Sequence, residues 1–138
     1  MAVKPEIIIA KCSVAGDAAS PDYRQAIVCG LHEMVGDEPP ARGGQDAGPA
    51  PFEYLLAALG ACTSITLRMY AQRKRWDIGS VSVELRLGQG EAGKTIHRRV
   101  GLSGALDPAQ RASLADICEK TPVTLVVKSG MPVNTTLA

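Results

Sequence analysis

Pro51-Phe52-Glu53-Tyr54-Leu55-Leu56-Ala57-Ala58-Leu59-Gly60-Ala61-Cys62-Thr63-Ser64-Ile65-Thr66-Leu67-Arg68-Met69-Tyr70-Ala71-Gln72-Arg73-Lys74-Arg75 is the stretch on which the fold turns. It opens with a proline at a first-turn position, carries Glu53 in the first turn and closes on a basic cluster, the polarity that a helix dipole favours. The reading is one helix over 51–75, about 36 Å long. Between Tyr54 and Met69 only Arg68 is charged, so every face of this helix is apolar or small. Such a helix is buried on nearly all sides. A chain of 138 residues achieves that by wrapping strands around the helix or by packing a second copy against it, and a homodimer is the more economical assumption.

Upstream, residues 38–51 form a loop rich in Pro and Gly, longer than a simple connector, and loops of that length are often functional. Before it, 5–13 and 23–32 read as two strands, with a turn through Gly16-Asp17 and Ser20-Pro21-Asp22. Downstream of the helix, 80–88 alternate apolar and polar residues and pair with 95–103 across Gly90-Glu91-Ala92-Gly93, a hairpin with one wet face. His97, among Lys94, Arg98 and Arg99, reads as a solvated strand residue. Asp107 as N-cap, Pro108 at the first helical position and Gln110 three residues after the cap open a second helix, which Thr121-Pro122 stops. Val123 to Val127 reads as a strand, and 133–137 as a short final one. Strands around a long helix, without repeated βαβ units, predict an α+β fold in a single domain over 1–138.

Composition narrows the function. The chain is 46% hydrophobic with a net charge of +1 and has no clustered basic arm, so it lacks the electrostatic footprint of a nucleic-acid binder. No run of about 20 uncharged apolar residues predicts a membrane span, and the N-terminus lacks the pattern of a secretory signal. Cysteines stand at 12, 29, 62 and 118, too sparse for a disulfide framework and without a CxxC pair. His32 and His97 are not at ligand spacing from them, so neither a metal nor another cofactor is expected. A reduced, cytoplasmic setting follows, with Cys12 and Cys29 as small apolar strand residues.

Cys62 differs because it lies mid-helix among small neighbours, Gly60, Ala61, Thr63 and Ser64. A free thiol ionises near pH 8.5, and apolar burial reduces the thiolate further. Reactivity at that position requires a nearby cation; without one, Cys62 is a core cysteine.

Gly48-Pro49-Ala50 leading into the helix through Ser64, followed by Leu67-Arg68-Met69-Tyr70-Ala71, resembles the central segment of the OsmC/Ohr family of osmotically induced and organic-hydroperoxide-resistance proteins. The order of elements is similar along nearly the full chain. The resemblance implies an OsmC-like α+β fold, with strands wrapped around a long central helix, and an intertwined homodimer with its active sites at the subunit interface. It also implies a thiol-dependent peroxidase acting on organic hydroperoxides. Cys62 matches the family's peroxidatic cysteine, whose thiolate attacks the peroxide and becomes a sulfenic acid. The arginine that the family takes from its N-terminal hairpin falls on Arg24, with Arg42 as the second choice. Its glutamate partner falls on Glu53, one residue later than in the organic-hydroperoxide branch, where the acid directly follows the proline. An ideal helix sets Glu53 about 180° and about 13.5 Å from Cys62, so this role requires a bend, for which Gly60 is the hinge. The family's Lys-Cys-Pro-Val-His pattern is replaced by Lys120-Thr121-Pro122-Val123-Thr124. Cys118, three residues earlier, then serves as a substitute resolving thiol or fills a core face with Leu114 and Ile117. In the second case an external thiol reductant must resolve Cys62. The alternative reading is a non-catalytic relative that binds a small apolar or electrophilic ligand in the interface cleft.

Overall fold

The computed structural model describes residues 2–19 and 22–138, and its contacts group into two units that meet at Tyr54 and Leu55. In the first unit, β1 (Cys12–Ala15), β2 (Gln25–Cys29) and β3 (His32–Gly36) form an antiparallel sheet in the order β1-β2-β3. The expected strand over 5–13 is realised only from Cys12 onward. Residues 2–11 form no regular element. The expected strand over 23–32 is cut by a tight turn at Gly30-Leu31, where Gly30 takes a φ of +61° that costs glycine little. Ser20 and Pro21, within the expected first turn, lie outside the described residues.

The β1–β2 register sets Cys12 directly opposite Cys29, and their sulfurs are bonded, with 4.2 Å between the Cα atoms. This corrects the reading of both as isolated apolar side chains. It also removes the support that unpaired cysteines lent to a reduced, cytoplasmic setting.

The long loop that follows is anchored at Asp37. Its carboxylate accepts from the backbone N–H groups of Glu38 at 2.8 Å, Ala47 at 3.0 Å and Gln45 at 3.3 Å. A Cβ at Gly44 would lie 1.9 Å from the Glu38 carbonyl oxygen, and one at Gly48 would lie 2.2 Å from that of Val35. Only glycine lets the loop close this tightly.

α1 (Pro51–Lys74) matches the long helix expected from the sequence to within one residue. Its burial differs from expectation. Leu59, Gly60, Thr63, Leu67 and Ala71 form a single buried stripe at helical spacing, while Leu55, Ile65 and Met69 are exposed. By length and composition α1 is also apolar enough to cross a membrane, although Glu53 and Arg68 interrupt its uncharged run. Its buried stripe and the bond that Arg68 donates to the Gly79 carbonyl attach it to protein.

β4 (Val81–Gly90) and β5 (Gly93–Leu102) pair antiparallel from Val81 opposite Leu102 to Gly90 opposite Gly93. The hairpin lies against α1 so closely that a Cβ at Gly60 would meet Leu85 at 2.8 Å. α2 (Pro108–Cys118) begins with the full capping box, Asp107 with Gln110. The expected strand at 123–127 is instead α3 (Pro122–Ser129). Thr121 caps it and Pro122 occupies its first position, so the residues that stop α2 also start α3. The expected strand at 133–137 is absent. Leu67, Ala71, Ile78, Leu114 and Cys118 form the core, with Tyr70, Trp76 and Val100 packed against it.

Candidate functional site

α1 carries Cys62 one position before the buried Thr63. Helical geometry turns successive side chains by about 100°, so Cys62 lies to one side of the buried stripe. It is a free, half-buried thiol, with the Thr66 hydroxyl 4.0 Å from its sulfur one turn later. α1 runs unbroken through Gly60.

Thr63, the next residue along α1, joins a polar cluster that the sequence does not reveal. Alternation along β5 sets Ile96, Arg98, Val100 and Leu102 on the inner face, and the Arg98 side chain retains only 12% of its surface exposed. Its Nη1 donates to the hydroxyl of Thr63 at 2.9 Å and to that of Thr124 at 2.8 Å, while Nη2 donates to the Cys118 carbonyl at 2.7 Å. The Thr63 hydroxyl in turn donates to the Leu59 carbonyl at 2.7 Å. The Thr121 and Thr124 hydroxyls lie 2.6 Å apart. A buried guanidinium is costly unless its donors are satisfied, and here backbone and hydroxyl oxygens satisfy them. Glu119 is the nearest carboxylate at 3.9 Å, and it is paired with Lys128. The signal that would have found Arg98 was its inward parity on an alternating strand, obscured by the basic residues beside it.

The other residues singled out from the sequence have these places. Arg24 is exposed just before β2, and its charge acts on Asp37. The N–H of Ala47 does most to hold the Asp37 carboxyl below the ordinary carboxylate range, against the opposing effect of burial; Glu38, Gln45 and Arg24 act in the same direction as Ala47. Arg42 is exposed at the end of a short 3-10 turn over Pro40–Arg42. Glu53 is exposed and accepts from the Ala50 N–H at 3.0 Å, closing the first turn of its own helix. Cys118 is buried in the core. Burial pushes its thiol above the ordinary range, against the pull of Arg98. His97 is exposed on the wet face of the hairpin, opposite Arg86.

A family model described as OsmC-like protein matches residues 43–136, which include the later part of the long loop, α1, the hairpin, α2 and α3. The chain belongs to the OsmC-like protein family. Solved structures share the OsmC-like fold at low identity. An OsmC-like protein from Mycoplasma pneumoniae is 15% identical with a TM-score of 0.73, and the match covers 88% of each chain. The organic hydroperoxide resistance protein OsmC of Legionella pneumophila is 17% identical with a TM-score of 0.67, covering 91% of this chain and 93% of that one. The organic hydroperoxide resistance protein OhrB of Bacillus subtilis is 20% identical with a TM-score of 0.59, covering 89% and 93%. No curated protein matches the chain. In this OsmC-like chain, Thr121 and Thr124 stand where the resemblance implies a cysteine and a histidine, and both are tied into the Arg98 cluster.

Proposed function

We propose that this OsmC-like chain is a thiol-dependent peroxidase that reduces organic hydroperoxides at Cys62, works as a homodimer and draws electrons from an external thiol. The observation that carries this reading is Cys62 itself, a free and partly accessible thiol on the central helix of an OsmC-like fold. The thiolate attacks the terminal peroxide oxygen, the O–O bond breaks, and the alkoxide leaves as an alcohol once protonated, with Cys62 oxidised to a sulfenic acid. An external thiol condenses with the sulfenic acid, releasing water. A second external thiol breaks the mixed disulfide and restores Cys62. Internal resolution by Cys118 is disfavoured because that thiol is buried and held protonated. Arg24, or Arg42, supplies the cation for the Cys62 thiolate in this reading; Glu53, which closes the first turn of an unbroken helix, is left out of it.

Exposed apolar side chains support the homodimer. Leu55, Ile65 and Met69 on α1 and Leu125 on α3 remain exposed in the single chain, apolar surface that a second copy would remove from water.

Cumene hydroperoxide added to the protein with Cys62 and Cys118 reduced should remove one thiol per chain, and Cys62→Ser should remove none. Equal thiol loss in the variant overturns the assignment. Thr121 in place of a second cysteine favours the other reading, a non-catalytic relative that binds a small apolar or electrophilic ligand. Continued peroxide consumption with excess external thiol separates the two, because a binding protein would stop after one equivalent.

A further inference from the structure

We propose that Cys12 and Cys29 form a second redox centre, a disulfide that exchanges with an external dithiol and whose reduction loosens β1 at the sheet edge. The first support is position. Cys12 begins β1, an edge strand whose four residues are all exposed, and the disulfide joins it to the last residue of β2. Disulfide exchange requires in-line access of a thiolate to sulfur, and the exposed strand offers it at Cys12.

The second support lies across the next strand pair. Cys29 is opposite Cys12 on one side and opposite His32 on the other. Residues directly opposite in an antiparallel sheet share a face, so two sulfurs and an imidazole lie along one rung. The Gly30-Leu31 turn brings His32 there. A sulfur leaves faster when its thiolate is stabilised, and His32 is the polar side chain beside Cys29 on that rung.

The exchange proceeds in two steps. A thiolate of the external dithiol attacks Cys12 Sγ, the Cys12–Cys29 bond breaks, and Cys29 leaves as a thiolate that takes up a proton. The second thiol of the dithiol then attacks its own sulfur in the mixed disulfide, releases Cys12 and closes the dithiol into a cyclic disulfide. Two electrons pass to the protein, and the reverse sequence, driven by the cyclic disulfide, restores the bond. Reduction leaves β1 held by the ladder to β2 alone, and a strand pair of this length is marginal without further support.

The test uses the full-length protein carrying Cys62→Ser, so that the outcome does not depend on the peroxidase reading. Treatment with dithiothreitol without denaturant, followed by alkylation and mass spectrometry, should label Cys12 and Cys29 while Cys118 stays protected. Amide exchange over Ser13–Ala15 should then rise about tenfold or more, and oxidised dithiothreitol should return it to its starting value. His32→Ala should slow the reduction several-fold while the same two thiols are released. Reduction that occurs only after denaturation, or leaves exchange in β1 unchanged, overturns the proposal; an unchanged rate in His32→Ala overturns Cys29 as the leaving sulfur.

Discussion

The unit from Leu55 onward encloses Leu67, Ile78 and Leu114 to 1% exposure or less, whereas among the described residues before it the only enclosed side chain is that of Asp37, at 3%. The later unit is held by apolar burial around one core, reinforced by the Arg98 cluster. The earlier unit relies on a backbone ladder, one covalent bond and a carboxylate gripped by loop N–H groups. A three-stranded sheet with exposed Val14 and Val28 does not bury enough apolar surface to offset its ordering entropy. The comparison teaches that apolar patterning organises one part of this chain, while polar and covalent constraints organise the other.

Leu67→Ala should break the later unit most severely, destabilising it by about 3 kcal/mol through lost contacts and a residual cavity, as read by denaturant unfolding. Val14→Ala is the matched change in the earlier unit and should cost less than about 0.5 kcal/mol. A cost in Val14→Ala equal to that of Leu67→Ala would show that another copy covers β1 in solution, and the contrast between the units would then hold only for the isolated chain.

Asp37→Asn tests the polar side of the contrast. The folded pKa of Asp37 is lowered, so its stabilisation is in place above the unfolded carboxylate value of about 3.9 and is lost as pH falls through the lower folded value. Protection of the Gln45 and Ala47 amides, taken against the intrinsic exchange rate at each pH, should therefore fall in acid in the natural protein. In Asp37→Asn that protection should already be low at neutral pH and show no acid step. An acid step that survives the substitution would assign loop anchoring to another group.

A smaller effect than that of Leu67→Ala is expected at α2. Asp107→Ala removes the acceptor for the Gln110 N–H at 2.7 Å and should cost about 1 kcal/mol, with exchange fastest in the first turn of that helix.

The legible features were those with strong local signals. The proline, acid and basic tail of α1 located it to within one residue, the alternation of 80–88 located the hairpin, and Asp107-Pro108 located a helix start. β-branched Val123, Thr124, Val126 and Val127 suggested a strand, but the cap at Thr121 and the proline after it start a helix there, and capping prevailed over propensity. The Cys12–Cys29 bond was hidden because it depends on register. Spacing alone does not align residues on two strands, and the strand containing Cys29 was read through the turn that sets its end. In the candidate site, Cys62 was legible from its segment. Arg98 was not, because an inward-facing arginine contradicts the usual reading of an alternating strand, and its satisfaction depends on oxygens far away in the chain.

That arginine has one more consequence, for the manner of unfolding. Its guanidinium binds partners 20, 26 and 35 residues distant, on α2, α3 and α1, from a position on β5. Fraying of any one of these elements discards a bond to the same buried charge and exposes that charge to a poorer environment, which weakens the grip on the other two. One side chain thus couples four segments into a single cooperative transition, and the later unit is expected to open as a whole rather than element by element.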